Sequence, residues 1–218
     1  MNIETENWTK EIIKIIKELK EQYANYRGLI LTEGDLECQL YKLLTNSDLF
    51  SGFEETKTKN WKSGFVHSQV TWFKPGVDSG FRVDLTICEP KNIKIDDFEM
   101  VEDYPNKGFF HDGKAIAIEL KFIRDKRPKK ISNDAQEDYV KIIKKLKVAK
   151  DVLIEQGRYS NLTDEDLAYI CLIVCKSKEI YDLALEKLNN AISKNSYPKN
   201  VFPIIFHHRE FKEFNVIS

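Results

Sequence analysis

The sequence predicts an α/β protein in which a mixed central β-sheet is flanked by helices. Three observations carry this expectation. Two stretches of helical periodicity open the chain, alternating apolar and polar residues then mark strands, and beyond these helices and strands take turns in the order ααβββαβαβ. The length of 218 residues fits a single domain.

The elements follow in order. From Trp8 to about Tyr26 the residues Ile12, Ile15, Ile16, Leu19 and Tyr23 recur at helical spacing among lysines and glutamates, which predicts an amphipathic helix. A second helix starts at Thr32, an N-cap residue with Asp35 three positions on, and continues through Leu36, Leu40, Leu43 and Leu44. The period then falls to two. Residues 66–73 alternate, as do residues 81–88, where Phe81, Val83, Leu85 and Ile87 share one face and Arg82, Asp84, Thr86 and Cys88 the other. Lys74-Pro75-Gly76 and Ser79-Gly80 between them suit a hairpin-like connection. A third strand is expected from Lys114 to Phe122, with Ile116, Ile118, Leu120 and Phe122 opposite Ala115, Ala117, Glu119 and Lys121. A long helix over residues 134–156, a buried strand from Leu167 to Cys175, a helix from Lys178 to Ser193 and a strand from Val201 to His207 complete the order.

Composition narrows the class. With 42% apolar and 32% charged residues, the chain has enough apolar content for a core. The longest apolar run, Leu167 to Cys175, is far short of the roughly 20 residues of a membrane helix, and the polar start shows no secretory signal. Four cysteines without such a signal argue for a reducing, cytoplasmic setting rather than a disulfide scaffold. No phosphate-binding glycine loop, nucleophile elbow or dinucleotide-binding turn is present, which excludes the corresponding chemistries from the short list. Cys171 and Cys175 lack zinc-site spacing. His207 and His208, adjacent in a strand, are expected to face opposite ways.

The chemistry-bearing residues lie on the strands. Glu119 and Lys121, two apart, project from one face about 7 Å apart, and Asp84 shares their space if its strand lies alongside. Two carboxylates with a lysine can bind Mg²⁺ or Mn²⁺ through hard oxygen ligands and place an ammonium near a phosphate. Those are the parts of phosphodiester hydrolysis. Asp78, Asp103 and Asp112 are alternatives to Asp84, but only Asp84 sits within a clear strand pattern. On the second helix Glu33 and Glu37 share a side, and either could join the carboxylates. Gln69, on the first strand, is a further candidate for positioning water or substrate, with a core-edge amide as the plain reading.

These residues resemble the PD-(D/E)xK phosphodiesterase superfamily of restriction endonuclease-like nucleases. The matching segments are Gly34-Asp35-Leu36-Glu37, Phe81-Arg82-Val83-Asp84-Leu85 and Ile116-Ala117-Ile118-Glu119-Leu120-Lys121-Phe122, within about residues 32–146. Val83 stands where the family's name has proline, and an acidic insertion separates Asp84 from Glu119. The resemblance implies a restriction endonuclease-like αβα core over about residues 32–210, preceded by a helical extension over about residues 6–27 of one domain. It also implies a Mg²⁺- or Mn²⁺-dependent nuclease in which Asp84, Glu119 and Glu37 hold the metal and Lys121 assists catalysis. Asp138 with Lys141 and Lys145 resembles the bracing helix that follows the triplet in related nucleases.

Charge distribution suits a polyanion. The net charge of −1 averages opposites: residues 121–150 hold 11 basic and 4 acidic side chains, whereas residues 89–106 hold 6 acidic and 2 basic ones. Arg124, Lys126, Arg127, Lys129 and Lys130 are the expected nucleic-acid contacts, since each phosphate they neutralise releases counterions. DNA is the expected partner, with RNA open, no membrane, and a homodimer possible where both strands are cut. The alternative is a catalytically inactive nuclease-like fold that serves as a nucleic-acid-binding or protein-assembly module, which the acidic insertion would suit.

Overall fold

Period-two alternation builds a six-stranded sheet, and helical periodicity covers both of its faces. The computed structural model describes residues 1–72, 81–94, 110–111, 113–127, 129–136, 139–140, 166–194 and 198–214. In chain order the helices are α1 (Ile3–Asn25), α2 (Glu33–Thr45), helical residues 129–136 as α3, and α4 (Lys178–Lys194). The sheet is formed by β3 (Val66–Trp72), β4 (Phe81–Cys88), β7 (Ala115–Ile123), β8 (Leu167–Cys175), β9 (Val201–His207) and β10 (Glu210–Glu213). Their spatial order is β10-β9-β8-β7-β4-β3. Two short antiparallel strand pairs stand apart, β1 (Glu54–Glu55) with β2 (Lys62–Ser63), and β5 (Ile93–Lys94) with β6 (Phe110–His111).

The sheet is mixed. β7, β8 and β9 run parallel, and the β3–β4, β4–β7 and β9–β10 pairs are antiparallel. All nine residues of β8 are buried, as befits a central parallel strand covered on both faces. On one face Ile12, Ile16 and Leu19 of α1 and Leu36, Leu40 and Leu44 of α2 pack on Leu85, Ile118, Leu120 and Ile170. On the other, Ile131 and Ala135 of α3 and Ile180, Ala184 and Leu188 of α4 pack on Ala117, Tyr169, Cys171 and Ile173. Helix α1 thus packs into the same core as the sheet.

Several boundaries differ from the sequence reading. α1 starts at Ile3 because the Asn2 side chain accepts from Thr5 N at 2.8 Å and caps it. α3 begins earlier than residue 134, since the carbonyl of Arg127 accepts from both Lys130 N and Ile131 N. Of the expected helix, residues 137–138 and 141–156 lie outside the described residues, and with them Asp138, Lys141 and Lys145. β10 has no counterpart in the sequence pattern, because Glu-Phe-Lys-Glu offers a single apolar side chain, Phe211, which stacks on Phe206. His207 and His208 do not diverge. β9 ends at His207 and His208 lies in the following turn, so alternation stops and the two Nδ1 atoms come to 3.2 Å.

Among the described residues no helix is long and apolar enough to cross a membrane. All four cysteines are free, with Cys88, Cys171 and Cys175 buried and Cys38 exposed. Burial pushes the Cys88 and Cys175 thiols well above their ordinary range.

The start of α2 is fixed by a reciprocal cap. Thr32 Oγ1 accepts from Asp35 N at 3.1 Å, and the Asp35 carboxylate accepts from Thr32 N and Leu31 N. The Leu31 N–H, and then the Thr32 hydroxyl, hold the Asp35 carboxyl below its usual range. Its folded-state pKa is therefore depressed, so its contribution is present above the ordinary carboxyl range and is lost as pH falls through the folded value. Thr32→Ala is expected to lower stability by about 1 kcal/mol, measured by urea unfolding at neutral pH.

Candidate active site

The site forms where the sheet opens around Asp84. β4 pairs with β7 from Cys88↔Ala115 to Leu85↔Ile118, and there the ladder stops. The same register carried one step further would set Asp84 opposite Glu119. On its other side, β4 pairs with β3 through Ser68↔Leu85 and Val70↔Val83, skipping the position at which Gln69 would face Asp84. Asp84 is therefore out of the ladder on both sides, and its two cross-strand neighbours are Gln69 and Glu119. Gln69 has φ 56°, a left-handed backbone in the middle of a strand.

Side chains take over the hydrogen bonds that β4 no longer makes. Asp84 Oδ2 accepts from Leu120 N at 2.8 Å, and Glu33 Oε2 accepts from Phe122 N at 3.3 Å. Two carboxylates thus stand where carbonyls of a neighbouring strand would be, which satisfies amides that would otherwise cost free energy to leave unpaired.

Helix α2 supplies the roof. Leu36, Leu40 and Leu44 are fully buried, and this apolar stripe turns Glu33 and Glu37, one helical turn apart, toward the opening. Gln69 Nε2 donates to Glu37 Oε2 at 2.8 Å and lies 3.4 Å from Asp84 Oδ1. Between these elements lies a cleft of about 350 Å³ lined by Glu33, Gly34, Glu37, Gln69, Arg82, Asp84, Glu119 and Leu120. Four acidic residues and one arginine line it. Glu119 is only 6% exposed, whereas Arg82 is exposed.

Of the residues singled out in the sequence, Asp84, Glu119 and Glu37 line this one cleft. Lys121 stands beside it, with Nζ 3.6 Å from Glu33 Oε2. Glu33 and Glu37 both line the cleft but differ in what they hold: Glu33 engages β7 and Lys121, and Glu37 engages Gln69. Asp78, Asp103 and Asp112 lie outside the described residues. Motif reasoning misses Arg82 as a site residue, although period-two alternation already sets it on the Asp84 face of β4.

The donor chemistry fits a hard divalent cation. The carboxylates are all-oxygen donors, and Mg²⁺ is commonly held by one or two carboxylates with the rest of its shell supplied by water and substrate phosphate. Among the described residues, no three His, Cys, Asp or Glu side chains gather closely enough to hold a metal by themselves. Asp84 and Glu119, with Glu37 behind Gln69, are the residues that could hold one here.

The basic segment leaves β7 beside this cleft. Arg124, Lys126, Arg127, Lys129 and Lys130 are all exposed. Arg127 forks onto Asp125, which Lys130 also approaches at 3.9 Å, and Lys126 lies 3.6 Å from Glu179. The Arg127 hydrogen bonds push the Asp125 carboxyl down to about 2. Lys141, Lys144, Lys145, Lys147 and Lys150, and most of the acidic insertion, lie outside the described residues. Comparison of the chain with family models, curated proteins and solved structures found no match in any of the three.

Proposed function

We propose that the protein is a metal-dependent nuclease that hydrolyses phosphodiester bonds of DNA, an endonuclease with a restriction endonuclease-like core of the PD-(D/E)xK type. The observation that carries this reading is the convergence of Asp84, Glu119 and Glu37 on one cleft at the point where β4 and β7 part. When bound, Mg²⁺ or Mn²⁺ would neutralise charge developing on the phosphate and acidify the attacking water. Asp84, Glu119 and Glu37 would hold it.

The remaining residues meet the substrate or brace the strand beside it. Arg82, a residue of the lining, carries a guanidinium suited to bidentate contact with a phosphate. Lys121 brings an ammonium to the edge of the cleft, tethered by Glu33, where it can stabilise the attacking water or the departing oxygen. Leu120 N is held by Asp84, which keeps this part of β7 rigid under the reacting phosphate. Arg124 to Lys130 would receive the adjoining backbone, with affinity that falls as salt rises.

The test is incubation of purified protein with DNA and with RNA, in Mg²⁺, in Mn²⁺ and with chelator. Cleavage of DNA that requires the cation and disappears in Glu119→Ala is expected. Cleavage that persists in Glu119→Ala would remove Glu119 from the mechanism, and a wild type that cuts neither polymer overturns the enzyme reading.

A second reading is an inactive nuclease-like fold that binds nucleic acid or assembles with protein. It is favoured by the engagement of Lys121 with Glu33, which holds the ammonium on a carboxylate at the edge of the cleft. Calorimetry separates the two: this reading gains if no divalent-metal site is detected that Asp84→Asn abolishes.

A further inference from the structure

We infer that Gln69 is a positioning residue that holds the Glu37 and Asp84 carboxylates at a set separation for a divalent cation, an inference that rests on the metal-dependent reading of the cleft. Three features coincide at this residue. Its side-chain nitrogen reaches both acids, at 2.8 Å and 3.4 Å. Its backbone is left-handed within β3, a conformation that costs a non-glycine residue free energy and persists only where the surroundings impose it. It also occupies the one missing step in an otherwise continuous β3–β4 ladder, opposite Asp84.

The chemistry explains why an amide serves here. Glu37 comes from a helix and Asp84 from a strand, so no local geometry couples them, and like charges repel across the cleft. An NH₂ group has two donors and can serve one acid with each. The two carboxylates also determine the amide orientation, because its oxygen facing them would be repelled. A lysine would bind both acids as well, but its charge would cancel the negative potential that attracts a cation. Neutral Gln69 constrains the pair and leaves that potential intact. Each carboxylate oxygen retains a further lone pair for a cation, just as supporting hydrogen bonds orient ligands elsewhere.

The left-handed backbone makes the inference separable from a merely structural role. In Gln69→Gly the strain is relieved and the donor is lost, whereas in Gln69→Ala the donor is lost and the strain stays. Mn²⁺ titration calorimetry on the full chain, with thermal melting of the metal-free protein, reads both effects. Both variants are expected to bind Mn²⁺ about 10- to 100-fold more weakly than wild type, the usual effect of removing a ligand's support. Metal-free Gln69→Gly is expected to melt above Gln69→Ala. A structural role alone would lower melting temperature and leave Mn²⁺ affinity unchanged, so a folded Gln69→Gly that binds Mn²⁺ as wild type does overturns the inference while the proposed function stands. A wild type that binds no Mn²⁺ overturns both.

Discussion

Asp84→Asn is expected to reduce metal-dependent cleavage by more than about a hundredfold while the protein stays folded. Removing the support of a ligand costs about 10- to 100-fold, and removing the charge of a ligand itself costs more. The folded state survives because asparagine retains an oxygen that can accept from Leu120 N, the bond that Asp84 Oδ2 makes at 2.8 Å. Asp84→Ala separates the two duties of this side chain. It loses cleavage equally, and it leaves the amide of Leu120, a residue only 3% exposed, without its acceptor. That adds a penalty of about 1–3 kcal/mol. Cleavage assays beside urea unfolding check the pair: equal loss of activity with unequal stability is expected, and an active Asp84→Asn removes Asp84 from the mechanism.

The bond from Leu120 N to Asp84 and the metal-holding role proposed for Asp84 are only half legible in the sequence. Alternation along Phe81–Cys88 sets Arg82 with Asp84, and along Ala115–Ile123 it sets Glu119 with Lys121, but it does not say that the two pairs meet. The register itself is not readable. It depends on pairing across the chain between Cys88 and Ala115, where no local pattern relates one strand to the next. Nor can the pattern report that pairing stops at Leu85↔Ile118, or that the expected single face of β4 breaks there: Val83 packs with Ile173 and Ala184 on the α4 side, whereas Leu85 and Ile87 pack under α1 and α2. Glu33, which the sequence offers only as a rival to Glu37, consequently proves to have a separate role, accepting from Phe122 N beyond the end of the β4 ladder.

The fold is more legible than its edges. The unbroken apolar run of β8 and the helical stripes of α1, α2 and α4 arise from burial, and burial writes strong periodicity. Features set by a single contact leave no such signal. β10 is held by backbone pairing to β9 with one apolar residue. The left-handed φ of Gln69 is invisible to propensity, since glutamine has no preference for it. His207 and His208 meet because a turn begins one residue earlier than strand alternation implies.

Leu36→Ala is expected to cost about 2–5 kcal/mol, a large fraction of the roughly 5–15 kcal/mol typical of a whole domain. Leu36 is fully buried against the sheet, so truncation forfeits transfer free energy and leaves a cavity under α2. Leu44 is equally buried two helical turns further on, and Leu44→Ala is expected to cost a similar amount. The two variants differ in what stands above the lost side chain. Leu36 anchors the turn that carries Glu33 and Glu37, whereas Leu44 lies near the end of the helix, about 12 Å along its axis at roughly 1.5 Å per residue. At matched loss of stability in urea, Leu36→Ala should therefore weaken Mn²⁺ binding more than Leu44→Ala does. Equal weakening would mean that α2 acts on the cleft only through global stability, and that the placement of Glu37 by its own turn contributes nothing to the site.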